Sequence, residues 1–148
     1  MKKLPFDKVK EKKLIPMPRL KKKAWEAFSL WVRFRGNDGK GGNTCISCGK
    51  NCPIMNMDAG HFIHGKWKMS GFYENNVFAQ CVYCNLGLAG NQANYERVLI
   101  DRFGQEEVDK IKHLSKQGWK PSRQELEDLI QTYKTKLADL TQSPRPEE

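Results

Sequence analysis

The chain lacks any apolar run approaching the roughly 20 residues that a membrane-spanning helix needs, and no apolar signal core follows its lysine-rich N-terminus. With 39% hydrophobic and 29% charged residues, it reads as soluble and globular, expected in the cytoplasm of its cell or of a host. It has no internal repeat, and its 148 residues suit one domain plus a tail. The five cysteines are an odd number and cannot all pair. Four of them form two CxxC pairs, a pattern that favours metal over disulfide in a reducing compartment. Acidic residues are scarce where basic ones are dense. Residues 1–35 hold twelve Lys/Arg against three Asp/Glu, so the first quarter carries the whole formal excess of +9. A basic block beside a neutral remainder points to a polyanion, most often nucleic acid, with a solubilising tail as the plainer alternative.

Residues 1–17 interleave lysine and proline without an apolar period and are expected to be a flexible arm. From Pro18, apolar residues recur at Leu20, Ala24, Phe28 and Trp31, with Ala27, Leu30 and Phe34 widening the stripe, which predicts a helix over 18–35. Pro18 suits its start and Gly36 its end. Residues 36–43, "GNDGKGGN", read as a loop. Residues 44–91 contain too few periodic apolar positions for a core of their own, so a metal is the expected staple. Residues 92–141 turn helical again. Tyr95, Val98, Leu99 and Phe103 form one stripe ending at Gly104, and Val108, Ile111 and Leu114 form a second. A last helix opens with the capping box of Ser122 and Glu125 and carries Leu126, Leu129, Ile130, Tyr133, Leu137 and Leu140. Residues 142–148 are expected to be a disordered tail.

Cys45 and Cys48 stand in "CISCG", Cys81 and Cys84 in "CVYCN", with 32 residues between the pairs. Zn²⁺ takes four tetrahedral thiolate or imidazole ligands, and two CxxC turns close such a site. Four thiolates leave no open position, so this zinc would be structural. A redox pair needs no second copy. Cys52 could replace Cys48, but the CxxCG turn favours Cys45 with Cys48 and leaves Cys52 as a spare thiol.

Between the pairs lies "MDAGHF", with Asp58 and His61. Asn76 precedes Cys81 by five residues, and Asn85 directly follows Cys84. This spacing resembles the HNH, or His–metal finger, endonucleases, whose β-hairpin and following helix cradle one divalent cation. Together "CISCG", "MDAGHF" and "ENNVFAQCVYCN", continued by the Gly, Asn, Tyr and Glu positions downstream, resemble the NinG/Rap proteins of lambdoid phages over roughly residues 18–140. The resemblance implies an α+β, mainly helical fold: a zinc-stapled ββα-metal finger flanked by a basic N-terminal helix and C-terminal helices. It also implies an endonuclease that cuts branched recombination DNA, of Holliday-junction or D-loop type. Phage recombination proteins and a second copy of the chain become candidate partners.

The residue types suit that chemistry. Phosphodiester hydrolysis needs a base to take a proton from water and a Lewis acid to steady the leaving oxygen. His61 is the expected base. Asn85 is the expected ligand of a catalytic Mg²⁺ or Mn²⁺, a hard cation that keeps much of its water shell. Asn76 either ties down the backbone of the loop bearing His61 or reaches the cation. Asp58 is the natural hard ligand, but strand alternation sets it opposite His61, so it can serve only if the strand bends or starts later; a structural hydrogen bond is its alternative. Many HNH proteins carry a ligand directly before the base, where this chain has Gly60, and Phe78 and Gly87 also depart from the family pattern. A hairpin histidine with ordinary partners is the plainer reading of His61, and His64 and His113 read as surface residues. Lys21, Lys22, Lys23, Arg33, Arg35, Lys66 and Lys68 are the expected DNA contacts, giving affinity through phosphates. Trp67 either stacks on an exposed base or packs in the hairpin. Two rivals stand beside the nuclease: a zinc-stabilised DNA-binding module without cleavage, and a zinc scaffold for protein partners.

Overall fold

The computed structural model describes residues 12–142. The first eleven residues of the expected arm and the tail from 143 lie outside them. Helix α1, Met17–Phe34, buries Leu20, Ala24, Phe28 and Trp31, as their spacing predicts, and adds Val32. Pro18 sits in the first turn, where its missing N–H costs no helical bond. The arm is anchored before the helix begins: Ile15 is half-buried, and its carbonyl accepts a hydrogen bond from Arg123 Nη1 at 2.7 Å.

Two small antiparallel sheets follow. Strands β1, Gly42–Thr44, and β2, Asn51–Pro53, form a hairpin whose turn carries the first cysteine pair, so the expected loop at 36–43 ends inside a strand. Strands β3, Met57–His61, and β4, Val77–Cys81, pair from Met57↔Cys81 to His61↔Val77. A long connection, residues 62–76, joins them. After β4 the chain makes one wide turn, Tyr83–Gly87, and then a run of left-handed residues at Ala89, Gly90 and Asn91. The expected finger helix is therefore a single turn. Helices α2, Gln92–Phe103, and α3, Gln105–Leu114, meet at Gly104, and α4, Arg123–Gln142, completes the described chain. The capping box forms as expected, with Glu125 N–H donating to Ser122 Oγ and Ser122 N–H to Glu125 Oε2.

The fold is mixed α+β and mainly helical, with the β3–β4 hairpin between two helical layers. On one side Phe28, Trp31, Val32, Val77 and Tyr133 form a core from α1, β4 and α4, with Ala59 of β3 against it. On the other, Ile46, Phe62, Tyr95, Leu99, Val108 and Ile111 form a core with α2 and α3. Full burial of a residue such as Phe28 or Leu99 contributes roughly 1.5–3 kcal/mol, so helices supply the apolar burial that residues 44–91 cannot. The Tyr95 hydroxyl, fully buried, donates to Gly60 O at 2.7 Å and accepts from Phe78 N–H at 3.0 Å, tying α2 to both strands. Among the described residues, no helix is long and apolar enough to cross a membrane.

Candidate metal centre and active site

The two CxxC turns come together as the sequence predicts. The sulfurs of Cys45, Cys48, Cys81 and Cys84 all lie within 4.8 Å of one another, close enough to hold one metal ion such as zinc. A tetrahedral ZnS₄ group with bonds near 2.3 Å sets its sulfurs about 3.8 Å apart, and Cys48 and Cys81 Sγ are 3.9 Å apart. Backbone and side-chain donors already point at the sulfurs. Cys84 N–H reaches Cys81 Sγ, and Asn91 Nδ2 reaches Cys84 Sγ, each at 3.4 Å. Burial pushes the Cys84 thiol up to about 12, with the Asn91 side chain opposing it. Cys52, in β2, packs against the cluster that contains Cys45, Cys81 and Cys84 but is not one of the four converging sulfurs, and its own sulfur lies 3.8 Å from Lys50 O.

His61 ends β3 and is 9% exposed. Its Nε2 lies 2.9 Å from Gly71 O. A carbonyl can only accept, so Nε2 carries the proton and the neutral ring leaves its lone pair on Nδ1. Nδ1 has no hydrogen-bond partner among the described residues and is not sealed from solvent. The imidazole stacks on Trp25 of α1, centroids 5.1 Å apart. Burial lowers the His61 pKa, nearby His64 and Lys66 lower it further, and the Gly71 bond opposes them. The carbonyl reaches the ring because residue 71 is glycine: a Cβ there would lie 1.9 Å from Lys66 O.

Asn76 fixes the same loop and is fully buried. Its Oδ1 accepts from Ile63 N–H at 2.9 Å, and its Nδ2 donates to Ile63 O and Ser70 O at 3.0 and 2.9 Å. Both polar atoms are therefore engaged with the backbone of the loop that follows His61.

Asp58 and Asn85 converge. Asn85 Nδ2 donates to Asp58 Oδ2 at 2.9 Å, across a cleft also lined by Trp25, Ser29, Arg33, Ala59 and Leu86. The unbroken strand sets Asp58 and His61 on opposite faces. Asp58 nevertheless lies at the unpaired edge of β3, and Trp25 borders both this cleft and the His61 ring. A Cβ at Gly60 would lie 2.1 Å from Gln80 Oε1 and 2.9 Å from Gln80 Cβ, so any side chain there must displace buried Gln80. Phe78 faces away toward Phe103 and Arg35. A Cβ at Gly87 would press on the Tyr83 ring at 3.0 Å.

The expected DNA contacts divide. Arg33 lines the Asp58–Asn85 cleft. Lys66 lies over Trp25 at 4.4 Å, which puts it near His61, and Lys21 lies over Trp67 at 5.0 Å. Lys68 is exposed and Lys22 pairs with Glu26. Lys23 lines a groove between α1 and α4 beside Glu26 and Glu127. Arg35 is partly committed to the fold: its Nη2 donates to Glu74 O and Val77 O at 3.0 and 2.6 Å, and the group lies over Trp31 and Phe78. Trp67 packs on Phe72 and Trp119. The sequence reading missed Trp25 and Ser29. With Arg33 they fall at four-residue spacing on α1, beside the buried stripe, a signal that was legible.

A family model described as "Bacteriophage Lambda NinG protein" matches residues 3–143. The chain is 36% identical over 141 residues to "Protein ninG" of Escherichia phage lambda, covering 93% of this chain and 66% of that protein. The same identity and extent hold for "Protein ninG" of Escherichia phage 933W, of which 67% is covered. "Protein ninG" of Enterobacteria phage H19B is 37% identical over 106 residues, covering 70% of this chain and 50% of that protein. The chain thus spans about two thirds of the length of the first two relatives. No solved structure matches. Since the family match runs through both cysteine pairs and everything between them, this chain belongs to the NinG family of bacteriophage proteins.

Proposed function

We propose that this protein is a metal-dependent DNA endonuclease of the zinc-stapled HNH type, acting on branched recombination DNA in the cytoplasm of a bacterial host. The observation that carries the reading is the His61 ring, whose Nε2–H is held by Gly71 O while Nδ1 has no partner among the described residues. That tautomer leaves Nδ1 as the base. Asn76 acts as a positioning residue, because the loop it ties holds the acceptor of the His61 bond. The four cysteines would hold a structural Zn²⁺, and Asp58 and Asn85 would hold a Mg²⁺ or Mn²⁺ through their side-chain oxygens. Such an ion supplies charge stabilisation at the leaving oxygen and the pentacoordinate phosphorus.

In the reaction, a water gives its proton to His61 Nδ1 as its oxygen bonds to phosphorus, the P–O3′ bond breaks, and the leaving O3′ takes a proton from solvent water. Lys21, Lys66 and Arg33 hold flanking phosphates. Phage recombination proteins and a second copy of the chain remain candidate partners, since cutting both strands of a junction calls for two active sites.

The test is nicking of a synthetic four-way junction or D-loop by purified protein with Mg²⁺ or Mn²⁺. A positioned general base contributes about 10²–10⁴-fold, so His61→Ala should lose activity on that scale while retaining DNA binding. Wild-type cutting by His61→Ala would refute the mechanism. The second reading is a zinc-stabilised DNA-binding module without cleavage, favoured by the Trp25 ring stacked on His61 and by the low exposure of that histidine. It predicts salt-sensitive DNA binding and no second metal site in a calorimetric Mn²⁺ titration.

A further inference from the structure

We propose that the cleft between Arg35 and Arg102 is a phosphate-binding site separate from the Asp58–Asn85 cleft. It has a volume of about 370 Å³ and is lined by Arg35, Gly36, Asn43, Thr44, Phe78 and Arg102, with Ile46 and Ala79 at its base. A water occupies about 30 Å³ in the liquid, so a phosphate group and several waters fit. No Asp or Glu is among the lining residues.

The two arginines differ in a way that suits an anion. Arg35 is fixed: Nη2 is bonded to two carbonyls, the guanidinium lies 4.0 Å from the Phe78 ring centroid, and its Nε and Nη1 have no partner among the described residues. Its nearest carboxylate, Glu74, is engaged by Tyr133 Oη and Lys136 Nζ. Arg102, in the last turn of α2, is exposed, approaches the same ring at 6.0 Å, and makes no ion pair among the described residues. The α2 dipole explains a cation at that helix end. It does not explain why a second guanidinium converges on the same ring. The hydroxyl of exposed Thr44 also lacks a partner among the described residues. A fixed arginine fork, an exposed one and a free hydroxyl together make a donor set for phosphate oxygens.

The ligand is a phosphate anion, supplied either by a nucleic-acid backbone or as free phosphate. Only the backbone source rests on the DNA reading above. The test uses the full zinc-loaded chain, with divalent cation omitted from DNA titrations so that no cutting occurs. Inorganic phosphate is titrated while the arginine Nε–H resonances are followed by NMR, in wild type and Arg102→Ala. Binding of a short DNA duplex is measured at several salt concentrations. The expected result is that phosphate moves the Arg35 and Arg102 signals in wild type, and that the Arg35 movement is lost in Arg102→Ala. Losing one phosphate contact should also weaken DNA binding several-fold and flatten the log K against log salt slope by about one. Phosphate shifts with unchanged DNA binding, or with no DNA binding at all, keep the site and make free phosphate its ligand. Absent shifts overturn the site, even if Arg102→Ala weakens DNA binding, because Arg102 then belongs to a general basic surface.

Discussion

Replacing Asn76 separates a positioning role from a ligand role. The side chain is fully buried and makes three hydrogen bonds to the backbone of residues 63 and 70. Leaving a buried polar group unpaired costs about 1–3 kcal/mol. Ser70 is fully buried, whereas Ile63 is half-buried and gives water partial access. Asn76→Ala should therefore destabilise the domain by about 3–4 kcal/mol. With a urea m-value near 2 kcal/mol/M, the unfolding midpoint falls by about 1.5–2 M. Asn76→Asp keeps the shape but turns an acceptor toward two carbonyls, so it should lose at least as much at neutral pH. A metal ligand would behave in the opposite way, since a carboxylate binds Mn²⁺ better than an amide does. Urea unfolding by circular dichroism and a Mn²⁺ titration distinguish the two. An Asn76→Asp protein with the wild-type midpoint and tighter Mn²⁺ binding would refute the reasoning.

Further outcomes follow from the same geometry. Burial lowers the His61 pKa below its ordinary 6.5, so the acid limb of the pH–rate profile should have its midpoint below pH 6.5. The unfolded chain binds that proton more readily. His61 therefore contributes stability that is full above about pH 6.5 and is lost as pH falls through the folded value. Urea midpoints of His61→Gln should vary less over that window than those of wild type. Elemental analysis should find one tightly held zinc per chain. Chelation should unfold the segment around the cysteines, read as lost near-ultraviolet dichroism, since zinc binding in such folds is folding energy. Asp58→Ala should weaken calorimetric Mn²⁺ binding while leaving the zinc content and the urea midpoint in place, because Asp58 lies at an unpaired strand edge and is only half-buried.

Local rules reached far into this fold. The α1 stripe, the Ser122–Glu125 box and the break at Gly104 are written in spacing and cap chemistry, and each is found in the structure. The meeting of the four cysteines was equally legible, because two CxxC turns have few other uses. Other features depend on tertiary contacts that spacing cannot show. The β1–β2 hairpin hides in a glycine-rich stretch whose composition reads as loop. The finger helix shrinks to one turn before left-handed Ala89 and Asn91. The hold of the Glu74 and Val77 carbonyls on Arg35 Nη2 likewise joins residues far apart in sequence. Gly71, whose carbonyl sets the His61 tautomer, carries no motif signal, since its role is a close backbone approach. Asn76 lay between two readings in sequence, and its bonds to the backbone of residues 63 and 70 depend on a loop closure that spacing cannot show.

The most direct measurement is the manganese anomalous signal from crystals of the zinc-loaded protein soaked in Mn²⁺. The account predicts one manganese peak about 2.2 Å from oxygens of Asp58 and Asn85, with His61 Nδ1 facing the water beside it and the four sulfurs around a separate zinc. A crystal in which manganese avoids that cleft, or in which His61 joins the sulfur-bound ion, would contradict it.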